Sequence, residues 1–521
     1  MTARPDHWLI MLALSLLATF PGQLFGQCPD GSPPPCPGPP PRSTAAPPAN
    51  TVAVLYLDNL SRDSADAYLA DGLTEEITAR LGLVERLAVK SRNAVRRYRG
   101  PAAGEPVVVG RALGVAHLVS GSLRRSGNHL RVSVELVRAA SGLRIWGAQY
   151  DRMDADLLAI EEEVASAVAT AVAGRLLPRE RASLAVRPTA NREAYDHFLR
   201  GNYYLARRIP RAVATAIEEY QAAARLDPAF TAALARAAYG YALYLDWGWA
   251  YPGVPPETLL ARGWAAASRV LAVDTAATDA WMARAYLLAY QAPRTLAGAR
   301  EAFERAIALD PKNAEAWHQY GWILAIQGDD TDALAAFRRA LAIDPERAVT
   351  WLHIGAVAVA GRHYAEATQW LDSAIAVDPW FHLAYAYRAF ARLGLGDATS
   401  ALADARTAIR LGGEDPLWGE AALTIAQARL GDTVAARARA ESLATTVLRA
   451  DAVGVDVGWV VAATLVAIGE RDRALDALER IRPRGAHFWF DVKVPQLDPI
   501  RSDPRFQRLV AESRPPPAPR Q

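Results

Sequence analysis

Two rhythms of apolar residues divide this 521-residue chain. Between Thr51 and Leu177 the apolar stretches are short and of mixed period. Val52 to Leu57 is a continuous run of strand length. Leu130, Val132, Val134 and Leu136 alternate with Arg131, Ser133 and Glu135 after a Gly127-Asn128 turn, the pattern of a hairpin strand with one buried face. Between these, Ala70, Leu73, Ile77, Leu81 and Val84 share one helical face behind a cap near Ser64, and Val107 to Leu113 predicts a short helix stopped by Gly114. A last helix, about Asp154 to Leu176, puts Leu157, Ile160, Val164, Val168 and Val172 on its inner side. Strands and helices at these spacings predict an α+β domain, a mixed sheet with helices.

From Ala280 to Leu411 the second rhythm takes over, a repeat of 34 residues. Trp317, Trp351 and Tyr385 fall in register, as do Gly321, Gly355 and Ala389; Ala333, Ala367 and Ala401; and Phe303, Phe337 and Leu371. Pro311, Pro345 and Pro379 close successive units, each in a Leu/Ile/Val-Asp-Pro tripeptide. Within one unit Trp317, Tyr320, Gly321 and Leu324 form a helix face. Ala333, Phe337, Ala340 and Leu341 form another after the break Gly328-Asp329-Asp330, so each unit is a helical hairpin. Gly321 and Ala333 let the two backbones approach, Phe337 fills the wedge, and Pro345 stops the second helix because its ring clashes with the preceding turn.

At this spacing of aromatic, glycine, small, bulky and proline positions the segment resembles a tetratricopeptide repeat protein. Weaker copies extend the array to residues 190–482, about seven hairpins in a right-handed all-α superhelix. Residues 483–513, with Asp498-Pro499-Ile500-Arg501-Ser502-Asp503-Pro504, read as its C-terminal cap, and 514–521 as a tail. The first domain, residues 51–177, resembles the TolB amino-terminal-like (FlgO-like) domain. The resemblance rests on Val52-Ala53-Val54-Leu55, Asn59-Leu60-Ser61, Tyr68 to Ile77 with its Asp-Gly-Leu-Thr-Glu-Glu core, Gly110 to Val115, Gly121 to Gly127, and Tyr150-Asp151-Arg152. Tyr56-Leu57 stands where that family usually has Pro-Phe. The resemblance implies a partner-binding or sensory role rather than a reaction.

The N-terminus adds an address. Trp8 to Phe20 is an apolar run preceded by Arg4 and followed by Pro21-Gly22, shorter than the roughly 20 residues that span a membrane and of the length of a secretory signal core. A signal peptide over residues 1–26 and export to the periplasm or envelope are expected, with no transmembrane segment after cleavage. Residues 27–50 are a Pro-rich linker in which Cys28 and Cys36 stand either as a small disulfide loop or as two thiols.

Chemistry is sparse. No phosphate loop, His-Glu-x-x-His, Cys-x-x-Cys or Gly-x-Ser-x-Gly is present, so no cofactor, no metal and no enzymatic activity are expected. With a net charge of +2 nothing argues for a polyanionic partner, and the basic run Lys90, Arg92, Arg96, Arg97 and Arg99 lacks the aromatic interleaving of a nucleic-acid site. Glu161-Glu162-Glu163 reads as a solvated face near a helix start.

What remains is a surface for a protein or peptide partner. With Trp317 turned into the hairpin core, Glu315, His318, Trp322 and Ile326 lie on the opposite side of the helix, which lines the concave groove, and register adds Leu352, Ala356, Leu383 and Phe390. That groove is apolar and aromatic, suited to an extended or helical apolar peptide segment, or else its residues pack against an insertion in the array or the array's own neighbours. The unit between Thr231 and Asp279 is lengthened by about 15 residues, and Trp247, Trp249 and Tyr251 in the insertion are a second possible contact, or pack on their own neighbours. The alternative function is a ligand-sensing module in which the α/β domain binds a small molecule and the repeats relay it.

Overall fold

The computed structural model describes residues 46–99, 104–153, 156–247, 249, 251–291, 295–413, 416–449, 455–481 and 490–514. The signal run, Cys28, Cys36 and nearly all of the Pro-rich linker lie outside the described residues.

The first domain is built on a six-stranded sheet. Its strands are β1 (Thr51–Val54), β2 (Asp58–Asn59), β3 (Ala88–Val89), β4 (His117–Ser126), β5 (His129–Arg138) and β6 (Leu143–Met153). They run in the order β3-β1-β4-β5-β6, with β2 beside β4. β1 is parallel to both neighbours, while β4, β5 and β6 form an antiparallel meander. The apolar run Val52 to Leu57 is thus divided. β1 ends at Val54, the Leu57 N–H donates to Thr74 Oγ1, and the chain rejoins β4 at Asp58.

Helices α1 (Ala67–Gly82) and α4 (Leu157–Ala173) cover one face, where Leu73, Ile77, Val132, Val134, Ile160 and Val164 share a core. On the other face α2 (Arg92–Val95) and α3 (Pro106–Leu113) pack Ala94, Val95 and Val109 on Ala53, Leu55 and Leu118. Short α2 lies in the basic run, where no apolar period announced it. α5 (Pro178–Leu184) then leads into the array.

Eight helical hairpins follow, one more than expected. They are α6 (Arg192–Leu205) with α7 (Pro210–Leu226), α8 (Thr231–Asp246) with α9 (Pro256–Val273), α10 (Thr278–Tyr290) with α11 (Leu296–Leu309), and α12 (Ala314–Gln327) with α13 (Asp330–Ile343). Next come α14 (Ala348–Ala360) with α15 (Tyr364–Val377), α16 (His382–Gly394) with α17 (Ala398–Gly412), α18 (Leu417–Arg429) with α19 (Thr433–Arg449), and α20 (Val455–Ala467) with α21 (Arg471–Ile481). The last two lack the closing Leu/Ile/Val-Asp-Pro but keep the helical period, and their turns fall at Gly431-Asp432 and Gly469-Glu470, as the sequence reads.

Inside a hairpin the close approach is literal. A Cβ at Gly321 would lie 2.9 Å from the Phe337 ring and 3.0 Å from the Ala333 carbonyl, so only glycine lets these helices touch. Phe337 is fully buried. The registered aromatics Trp317 and Trp351 do more than pack on the core. The Trp317 and Trp351 indole N–H groups donate to the carbonyls of Pro311 and Pro345 at 3.0 and 2.9 Å, and the Tyr385 hydroxyl donates to that of Pro379 at 3.1 Å. Each braces the corner between units, and Ala316, Thr350 and Ala384 beside them are the fully buried positions.

After the array, a 3₁₀ turn (Pro495–Ile500) packs on α20 and α22 (Pro504–Ser513) on α21, with residues 490–494 leading into the turn. Among the described residues no helix is long and apolar enough to cross a membrane.

Candidate interaction surface

The first helices of successive hairpins touch one another from α12 through α14, α16 and α18 to α20, whereas their second helices show no comparable contact. The first helices therefore line the inside of the curve, the side assigned to the groove.

Of the eight groove residues, seven are buried: His318, Trp322, Ile326, Leu352, Ala356, Leu383 and Phe390. They are covered by the chain itself. Trp322 stacks on His353 (ring centroids 4.2 Å) and meets the edge of Phe490 at 4.8 Å, while Phe390 lies 5.7 Å from Trp459 of α20. The open groove expected from the sequence is thus corrected to a face already filled, because the superhelix curls until α20 and the C-terminal segment lie on it.

The eighth residue, Glu315, anchors a charge cluster. Arg347 and Arg208 both pair with its carboxylate, and the Tyr239 hydroxyl donates to it at 3.1 Å. Burial alone would raise this carboxyl, but the two guanidinium groups outweigh it and hold it well below the usual carboxylate range. Beside it His318 is sandwiched between Phe337 (5.7 Å) and His353 (4.8 Å), with Nδ1 3.0 Å from Thr350 Oγ1. Burial, then the neighbouring His353 and Arg347, push its pKa well below the ordinary histidine value, so the imidazole is neutral.

The insertion residues form their own cluster. Trp249 and Tyr251 pack against Tyr244 at 5.5 and 5.1 Å, and Trp247 lies 5.3 Å from Trp249. All three are partly buried against the main core, the arrangement of a loop holding itself down.

Two junctions between the first domain and the array were not legible in sequence. At the near end Glu161, fully buried rather than solvated, accepts from the Tyr195 hydroxyl of α6 at 2.7 Å and lies 3.6 Å from Arg80, which donates to the Leu184 carbonyl at 2.5 Å. Burial and the nearby Glu76 outweigh these donors and raise the Glu161 carboxyl. Only its neighbours face outward, Glu162 to Arg187 and Glu163 to Arg152.

At the far end the basic run meets the Asp-Pro corners. In most units the corner aspartate closes its own turn: Asp227, Asp274, Asp310 and Asp378 each accept from the backbone N–H two residues on. Asp344 turns both oxygens to the first domain, accepting from Ser91 Oγ and Asn93 Nδ2 at 2.7 Å each. Arg97 reaches Glu346 (3.0 Å) and the Val377 carbonyl (2.7 Å), and Arg96 lies 3.8 Å from Asp378.

The stacked hairpins define a helical-repeat array on an α/β domain, and residues 289–348 match the tetratricopeptide repeat family. Over 164 residues the chain is 35% identical to a putative adenylate cyclase 3 of Rhizobium meliloti (strain 1021), a stretch that is 31% of this chain and 27% of that protein. The chain thus spans about a quarter of that relative. Similar solved structures include yeast Tom70 (TM-score 0.40, 14% identity, 69% of this chain and 82% of that one). PilW, a type IV pilus biogenesis factor, is another (TM-score 0.33, 21% identity, 38% and 90%).

Proposed function

We infer that this protein is a non-enzymatic interaction scaffold, exported to the periplasm or envelope, that engages protein segments through its tetratricopeptide array, with residues 51–177 as a TolB amino-terminal-like module. The observation that carries this is the inner face of α12, α14 and α16, where Trp322, Leu352, Leu383 and Phe390 form an apolar aromatic surface on which polypeptide, Phe490 and Trp459 of the same chain, is already seated. Export is supported by the short apolar run Trp8 to Phe20 with its Pro21-Gly22 break. The test has two parts. N-terminal sequencing of the mature protein is expected to begin after about residue 22 to 27. Cross-linking in envelope fractions is expected to join the array to a second protein, and an intact Met1 in the cytoplasm, or cross-links within this chain alone, would refute the reading.

The buried Arg80, Glu161 and Tyr195 contact favours one second reading, ligand sensing. A solute bound by the first domain would reach α6 through that triad. Thermal-shift screening of the whole chain with small solutes separates the two.

A further inference from the structure

We propose that residues 490–500 are an intramolecular ligand of the face formed by α12 and α14, and that a partner segment reaches this face only by displacing them. The displacement rests on the scaffold reading, whereas the occupancy stands on contacts alone.

The segment is built like a bound peptide. Phe490, Val492 and Val494 are buried and Phe490 seats on Trp322, while the following turn, with Leu497 and Ile500 buried, packs on α20. Lys493 brings its ammonium to within 3.6 Å of where a Cβ on Gly328 would stand, at the start of α13 where Asp330 attracts it. Arg501 Nη2 donates to the Val492, Lys493 and Val494 carbonyls, holding the segment in shape. At its far end Asp498 accepts from Arg362 at 2.6 Å.

Arg362 supplies an independent sign that this contact is a built feature. Five described hairpin corners turn through a left-handed glycine: Gly253, Gly328, Gly396, Gly431 and Gly469, with φ of 68°, 90°, 82°, 85° and 86°. Two corners instead hold an arginine in that region, Arg208 (φ 52°) and Arg362 (φ 65°). A side chain there is strained, because its Cβ crowds the backbone. Both arginines reach across the inner side to a carboxylate far along the chain, Glu315 for Arg208 and Asp498 for Arg362. The strained corner is used where a long-range ion pair closes the curve. The partner that fits the same face is a segment of the same chemistry: an aromatic residue, then alternating β-branched residues around one cation, then an acidic residue placed for Arg362.

The test uses the whole chain and a fluorescein-labelled synthetic peptide of residues 490–513. In the parent the tethered segment competes at high effective concentration, so Phe490→Asp is expected to bind the peptide at least about tenfold more tightly than the parent. Adding Trp322→Ala to that variant is expected to abolish the binding. Arg362→Gly keeps the falsifiable core if Phe490→Asp misfolds. Glycine relieves the corner, so melting is not expected to fall, yet hydrogen exchange over residues 492–500 should rise roughly two- to fivefold, the size of a partly exposed ion pair. Equal peptide binding by parent and Phe490→Asp, or unchanged exchange in Arg362→Gly, overturns the proposal. If peptide binding behaves as stated and no envelope partner is cross-linked, the scaffold reading fails and the occupancy stands. Partner cross-links equally strong in parent and Phe490→Asp remove the displacement and leave the scaffold.

Discussion

The array is clasped from both sides in sequence, by the first domain and by the C-terminal segment, and the two closures are made of different materials. The first domain reaches the corners after α13 and α15 with hydroxyl, amide and guanidinium groups on Asp344, Glu346 and Asp378. The C-terminal segment arrives with apolar side chains, Phe490, Val492, Val494, Leu497 and Ile500, and one ion pair at its rim. Polar contacts between partly exposed groups specify position and contribute little free energy, whereas apolar burial contributes much and specifies less. The first domain is therefore held in register by a clasp that salt can loosen, and the C-terminal segment by a contact that salt strengthens or leaves unchanged.

The largest expected effect tests the apolar side. Phe490→Ala should cost roughly 3 to 5 kcal/mol, the range of buried aromatic truncation, with little dependence on ionic strength, read by thermal melting. Phe390→Ala, equally buried, belongs to the same range, so neither is a mere surface change. A cost under about 1 kcal/mol for Phe490→Ala would make both closures alike.

Next in size is the centre of the polar clasp. Asp344→Ala leaves the Ser91 hydroxyl and Asn93 amide without their acceptor and should cost about 1 to 3 kcal/mol. Hydrogen exchange should rise over α2 and not over α12; exchange rising equally in both would mean that the two closures act as one unit.

A third effect is set by pH. His318 is neutral in the fold, with a pKa well below its unfolded value of 6.5. Its contribution is fully present above pH 6.5, and is lost as pH falls below that value, because the unfolded chain takes up the proton first, at up to about 1.4 kcal/mol per pH unit. His318→Phe should flatten the melting profile in this window. The Glu315 carboxyl, depressed instead, loses its contribution only below the ordinary carboxylate range, so the two are distinguishable.

The smallest effect belongs to the rim of the clasp. Arg96→Ala and Arg97→Ala should each cost about 0.2 to 1 kcal/mol at low salt and nearly nothing in about 1 M salt. An effect of either that survives high salt would show that the guanidinium stems pack rather than pair.

The sequence by itself determined the hairpins, their 34-residue register and the proline stops, since helix period and ring sterics act over a turn or two and leave their mark locally. It determined equally the alternating strands of the meander, where Val132, Val134 and Leu136 occupy the buried face as their period requires. It did not determine what covers the inner helices. Trp322 and Phe390 carry the same apolar signature whether they face a partner or Phe490 and Trp459 of their own chain. Asp344 has the same Asp-Pro context as Asp310 and Asp378, yet it alone among them accepts from Ser91 and Asn93. Trp317 reads as a core aromatic because its period is right, and only the corner geometry shows its indole bonded to Pro311. The Trp317 bond spans only six residues and is set by the corner's own backbone. For the inner face and Asp344 the reason is shared, since which distant residues meet depends on the curvature accumulated from small rotations between successive hairpins, a property of the whole stack that no single unit encodes.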